Sequence, residues 1–166
     1  MHQTASLNSP YDKEQKLAKF VTLIIFILVV EGVGALIGTS FPVDAWYEAL
    51  NKPFFMPPPA LFGIVWPLLY LLVALAGWRV FTSEGETPGW GLWLGQLVLN
   101  FAWSPIFFGA HMIFWSIWVI VGVLSLSLAF MSVTWDKDRF AALCFVPYIA
   151  WLAFALLINV SVWMMN

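Results

Sequence analysis

Five long apolar runs restrict what this chain can fold into. They occupy residues 17–40, 60–81, 89–109, 112–134 and 139–164. A helix of about 20 mainly apolar residues crosses the hydrocarbon core of a bilayer, because it satisfies its own backbone hydrogen bonds where water is absent. Only 10% of the residues are charged, whereas soluble domains carry about 25%. The sequence therefore predicts an all-α, integral multi-pass membrane protein.

Short connections between these runs predict an up-and-down bundle of five transmembrane helices over residues 17–166. Residues 1–16 are polar, and they are predicted to form a disordered tail. The first run is longer than the apolar core of a cleavable signal peptide, so it is predicted to remain as a transmembrane helix.

The sequence lacks the residue sets that carry several common chemistries. It has no His, Cys and carboxylate cluster with metal-ligand spacing, no Ser–His–Asp set and no glycine loop for phosphates. It has no basic patch, so no nucleic-acid partner is predicted. A bound metal or a required cofactor is likewise not expected.

Three tryptophans are predicted to lie deep within the bundle. The helix directions place them in the half of the membrane that faces the 41–59 connection. At about 1.5 Å per residue, Trp66 and Trp103 lie about 9 to 10 Å below that face, and Trp151 lies about 20 Å below it. Interfacial tryptophans sit at headgroup depth. The three indoles are therefore expected to surround one shared hollow.

Polar side chains inside the spans also need partners. An unpaired amide costs free energy in hydrocarbon, so Asn100 and Asn159 are predicted to face the interior. They either tie helices together, typically for about 1 kcal/mol or less, or they contact a ligand, and both roles can coexist. Glu31 is the one acid well inside a span. An interior structural contact is its simpler interpretation, and a ligand or proton role is the alternative.

Prolines mark the 41–59 connection and three of the spans. Pro57-Pro58-Pro59 fix several φ angles, so the connection is predicted to be a stiff lid, with a rigid loop that covers no ligand as the alternative. Pro67, Pro105 and Pro147 are predicted to bend their helices, and bent helices can leave a cavity, although membranes also tolerate proline without such a role.

Several motifs in order carry a family resemblance. They are Trp46-Tyr47-x-x-Leu50-x-Lys52-Pro53-x-x-x-Pro57-Pro58, Phe62-Gly63-x-x-Trp66-x-x-Leu69-Tyr70, Gln96-Leu97-x-Leu99-Asn100-x-x-Trp103-x-Pro105 and Pro147-Tyr148-x-x-Trp151. Over about residues 30–166 the chain resembles the translocator protein and tryptophan-rich sensory protein family, also called TspO/MBR.

The resemblance implies a five-helix bundle, usually a homodimer, with a pocket for porphyrins and similar ligands beneath the loop after the first helix. The pocket residues that it implies are Trp66, Asn100, Trp103, Trp151 and Ala155. Gly91 and Gly95 match the glycine pair proposed for dimer contact in animal members. The last helix lacks the Tyr and Arg of the animal sterol motif, which argues against tight sterol binding there.

The predicted function is an integral membrane tetrapyrrole-binding protein that acts as a sensor, scavenger or transporter. A porphyrin or haem is the candidate ligand, because a flat apolar disc with carboxylates at one edge needs an aromatic slot and a polar rim. The predicted ligand-binding residues are Trp66, Asn100, Trp103, Trp151, Ala155, Asn159 and, at the mouth, Lys52. The alternatives are an enzyme of light-dependent porphyrin degradation that uses Trp66 and Trp151, and a structural or regulatory membrane partner protein.

Overall fold

Helices make up nearly all of the computed structural model, which describes residues 10–83 and 89–166. They are α1 (Pro10–Ser40), α2 (Ala45–Ala49), α3 (Pro59–Thr82), α4 (Gly89–Ser104), α5 (Ile113–Thr134) and α6 (Arg139–Met165), and a π-helical turn at Pro105–Gly109 extends α4. Within these residues, five helices, with α4 and the π-turn counted as one, are long and apolar enough to cross a membrane. The prediction of an all-α, multi-pass membrane protein is confirmed.

The first helix starts earlier than the sequence predicted. Helix α1 begins at Pro10, so residues 10–16, expected to belong to a disordered tail, form its first turns. Proline suits the first position of a helix because its missing N–H would have no intrahelical partner there, and Asp12 complements the positive end of the helix dipole. The rest of the predicted tail, residues 1–9, lies outside the described residues, as do residues 84–88 between α3 and α4.

The five spanning helices form a closed ring in the order α1, α3, α6, α5 and α4. Helix α3 packs against α1 and α6, α5 packs between α6 and α4, and α4 returns to α1. The largest fully buried side chains, Tyr148, Phe130 and Phe145, hold α5 and α6 together at one side of the ring. The ring leaves space on its other side, toward α1.

Helices α3 and α4 approach closely at a glycine. A Cβ at Gly77 would overlap the indole ring of Trp93. That indole is 3% exposed, and its Nε1 donates a hydrogen bond to the backbone oxygen of Val73 at 2.8 Å. The missing side chain at Gly77 is therefore what lets Trp93 pack flat against α3.

The π-turn ends α4 beneath the connection between α1 and α3. It begins at Pro105, whose oxygen accepts a hydrogen bond from the N–H of Ala110 at 2.8 Å, five residues later. Proline has no N–H to donate, and π-helical turns, although rare, occur mostly as single turns inserted in α-helices. The sequence predicted a bend at Pro105, and the wider turn is its observed form.

Candidate ligand cavity

A cavity of about 690 Å³ lies inside the ring, beneath residues 41–58, which we call the lid. All five spanning helices contribute to its walls, and most of the lining is apolar. Small-molecule pockets in proteins typically measure about 300–1,000 Å³. The cavity therefore has the size and the surface of a ligand site.

Six of the seven predicted ligand residues line the cavity. They are Trp66 from α3, Asn100 and Trp103 from α4, Ala155 and Asn159 from α6, and Lys52 from the lid. Trp151 is the exception, because the ring of Phe62 faces the cavity and lies edge-on to this indole at 5.6 Å between centroids. The structure thus brings two of the three deep indoles to one hollow and leaves Trp151 one layer behind.

Asn100 joins three helices through a chain of hydrogen bonds. The Tyr70 hydroxyl donates to Asn100 Oδ1 at 2.8 Å, and Asn100 Nδ2 donates to the Tyr148 oxygen at 2.9 Å. The Tyr148 hydroxyl in turn donates to Gln96 Oε1 at 2.8 Å. Asn100 therefore ties α3, α4 and α6 together at the cavity wall. The residues next to Asn100 in the sequence do not indicate which hydroxyl groups it binds.

Asn159 fixes the orientation of the Trp103 indole. Trp103 Nε1 donates to Asn159 Oδ1 at 3.1 Å, and Asn159 Nδ2 donates to the backbone oxygen of Ile113 at 3.2 Å. The Trp103 ring also stacks on Phe107, with 4.9 Å between centroids and 15° between planes. An indole held on its edge and on its face is preorganised to cover one side of a flat ligand.

The lid owes its shape to a short helix that is capped at both ends. The backbone N–H of Tyr47 donates to Asp44 Oδ1 at 3.0 Å, which caps the start of α2. At the other end, Lys52 Nζ donates to the backbone oxygens of Tyr47, Glu48 and Leu50 at 2.7, 3.1 and 3.1 Å. An ammonium group has three hydrogens, so these bonds commit all of them within the lid.

Two further contacts attach the lid to the bundle. The Trp46 ring stacks on His111 in the α4–α5 connection, with 4.1 Å between centroids, and His111 Nε2 lies 3.0 Å from Asp44 Oδ2. His111 adopts a φ of 56°, which is uncommon for a residue with a side chain. At the other edge, Asn51 N–H donates to Asn166 Oδ1 at 2.9 Å, and Asn166 Nδ2 donates to the Asn51 oxygen at 3.1 Å.

Acid is expected to loosen the start of α2. The hydrogen bond from the Tyr47 N–H, with the nearby His111 ring, holds the pKa of Asp44 below its usual 3.8. A group whose pKa is lower when folded stabilises the fold above its unfolded pKa, and that contribution is lost as the pH falls through the folded value. The Tyr47 amide should therefore lose protection from hydrogen exchange below about pH 4.

The control for this prediction is Asp44→Asn, which keeps a capping side chain but cannot titrate there. Exchange rates of the Tyr47 amide are measured by NMR in wild type and variant at each pH. The ratio of the two rates cancels the intrinsic pH dependence of hydrogen exchange. A ratio that stays constant on acidification would contradict the prediction.

The predicted dimer glycines have different surroundings on α4. Gly91 is exposed, and a Cβ there would meet no atom within 4 Å in this chain. Gly95 turns toward α5, because a Cβ there would lie 3.3 Å from Leu126 Cδ1. Within one chain, Gly95 therefore eases α4–α5 packing, whereas Gly91 lies on an open face.

Comparisons with known proteins cover most of the chain. The TspO/MBR family matches residues 23–164. Protein CrtK of Rhodobacter capsulatus is 35% identical over 150 residues, which is 88% of this chain and 94% of the relative. The tryptophan-rich sensory protein of Cereibacter sphaeroides is 32% identical over 87% of this chain and 91% of its own length. The translocator protein of Homo sapiens is 37% identical over 81% of this chain and 84% of its own length.

Proposed function

Since this chain belongs to the TspO/MBR family, we propose that it binds a tetrapyrrole, such as a porphyrin or haem, in the cavity beneath its lid. The protein would act as a membrane sensor, scavenger or transporter of such ligands. Relatives named as sensory and translocator proteins support the broad class. The specific ligand is inferred from the chemistry of the cavity.

The observation that carries the proposal is a large apolar cavity with two indoles in its wall. Trp103 is fixed by Asn159 and Phe107, and Trp66 lies against Tyr70 with 5.3 Å between ring centroids. Aromatic rings favour stacked or edge-on contact with other flat π-systems. The wall thus suits a flat, apolar macrocycle.

The charges in the wall favour one orientation of a porphyrin. Among the described residues that line the cavity, Lys52 in the lid is the cation and Glu31 on α1 is the acid. The Lys52 hydrogens are bonded to lid carbonyls, so its charge acts on the ligand through space. We expect the porphyrin carboxylates to face the lid and the apolar edge to face the interior.

The enzyme alternative has weaker support. Light-dependent breakdown that uses two indoles requires both to reach the macrocycle, but Trp151 lies behind Phe62. Irradiating the complex while following its Soret band tests this alternative: bleaching that is lost in both Trp66→Phe and Trp151→Phe would support degradation.

A purely structural or regulatory partner protein would have no need of the 690 Å³ cavity.

A titration with protoporphyrin IX tests the proposed function. Porphyrin emission anisotropy reports binding without using the protein's own fluorescence. Wild type is expected to bind saturably, and Trp66→Ala should weaken binding by about tenfold or more, because each tenfold is 1.4 kcal/mol and a buried aromatic contact is worth at least that.

Trp163→Ala is the matched control. This indole lies on the outside of α6 and is 47% exposed, so its removal should leave the affinity unchanged. Equal binding by wild type and both variants would show partition into detergent or surface association, and the proposal would fail.

A homodimer is part of the same proposal. The open face of α4 at Gly91 is the surface on which we expect the second copy to pack, because small residues let membrane helices approach closely.

A further inference from the structure

Glu31 lies in the wall of the cavity, well inside a membrane-spanning helix. It precedes the end of α1 at Ser40 by nine residues, which places it about 14 Å from that end. Its side chain lines the cavity and is half-buried. A carboxyl group at this depth is costly unless it is paired, and such groups usually mark functional positions.

In the part of the chain that the structure describes, no side chain pairs with this acid. Within residues 10–83 and 89–166, the Glu31 carboxyl has neither a hydrogen bond nor an ion pair. The Tyr70 hydroxyl donates to Asn100, and the Lys52 ammonium is bonded to three lid carbonyls. The two wall groups best suited to satisfy a carboxylate are therefore both engaged elsewhere.

Two glycines shape the space beside Glu31: Gly34 admits the Tyr70 ring, and Gly38 leaves open space. Gly34 is one turn further along α1 on the same face, and the Tyr70 ring occupies the place that its side chain would take. Gly38, another turn on, also lines the cavity, and a Cβ there would meet no atom within 4 Å. The acid thus faces a space bordered by the Tyr70 ring, with the Trp66 ring 5.3 Å beyond it.

We propose that Glu31 makes the inner part of the cavity a binding site for a flat aromatic cation. Its carboxylate pairs with the positive charge of the ligand, and the faces of Tyr70 and Trp66 contact the charged ring through cation–π attraction. In an apolar cavity an ion pair is screened less than in water, so the charge discriminates strongly between ligands of equal shape. This site goes beyond tetrapyrrole binding but rests on the same cavity being a ligand site.

A pair of isosteric probes tests the site. 10-Methylacridinium is flat and permanently positive, and 9-methylanthracene has the same shape without charge, so neither probe titrates. Wild type is expected to bind 10-methylacridinium at least about tenfold more tightly than Glu31→Gln does, a difference of 1.4 kcal/mol. The affinity for 9-methylanthracene should be the same in both proteins within about twofold.

Protoporphyrin IX is titrated in parallel, because it separates this inference from the proposed function and reports folding of the variant. Equal binding of 10-methylacridinium by wild type and Glu31→Gln, with porphyrin binding intact, would overturn the cation site alone. Glu31-dependent binding of 10-methylacridinium without saturable porphyrin binding would establish the cation site and refute the tetrapyrrole proposal. A loss of 9-methylanthracene binding in Glu31→Gln would also count against the cation site, since it would show an effect on cavity shape rather than charge.

Discussion

Replacing Gly77 with alanine is expected to destabilise the bundle by about 1–3 kcal/mol, the usual cost of forcing extra atoms into a packed core. The added methyl group would overlap the Trp93 ring, which is 3% exposed and cannot move into open space. Shifting the ring also strains the 2.8 Å hydrogen bond from its Nε1 to the Val73 oxygen. Both losses act at the contact between α3 and α4.

Gly32→Ala provides the matched control. Gly32 lies within α1, and a Cβ there would meet no atom within 4 Å. Alanine is favoured over glycine in a helix by about 1 kcal/mol in water, so this variant should be as stable as wild type or more stable. Thermal unfolding of the three proteins in one detergent, followed by circular dichroism, makes the comparison. An unfolding midpoint of Gly77→Ala that matches wild type would show that Trp93 has freedom the structure does not indicate.

Filling the cavity from α1 is expected to abolish most ligand binding. Gly38 lines the cavity and has open space at its Cβ position. A phenylalanine there would enter the volume that a flat ligand needs, and its Cβ would meet no packed atom within 4 Å. Protoporphyrin IX should bind Gly38→Phe at least about tenfold more weakly than wild type.

Gly32→Phe is the control for this steric test. It adds the same ring to the same helix at a position that also has open space but does not line the cavity. Its affinity for protoporphyrin IX should match that of wild type. If the two phenylalanine variants bind alike, the ligand is held somewhere other than in the cavity.

The spanning helices were predictable because the membrane imposes a simple rule. Four of the five predicted spans agree with the observed helices to within one residue at each end. The start of α1 could not be predicted, because a polar sequence gives little information on whether a helix continues beyond the membrane. The short α2 was also missed, since its Asp44 cap and the Lys52 bonds that close it depend on how the lid folds back on itself.

Most of the predicted ligand residues line the cavity, but the direction of each ring was not predictable. Helical rise predicted only a depth for Trp66, Trp103 and Trp151, whereas the way each ring turns depends on neighbours. Phe62, for example, lines the cavity and lies edge-on to Trp151, which does not line it. The two asparagines were expected either to tie helices or to meet a ligand. The structure shows the first role for both, and leaves both side chains in the cavity wall.

The π-turn at Pro105–Gly109 has a consequence for natural and engineered changes in length. Such a turn amounts to one inserted residue within a helix. Deleting a single residue there would restore regular α-helical winding. Because a π-turn takes up the extra residue locally, the segment that follows keeps its rotation about the helix axis, and His111 keeps its place against Trp46. Length variation of one residue is therefore more tolerable in this segment than inside the regular spanning helices, where each residue added or lost turns everything after it by about 100°.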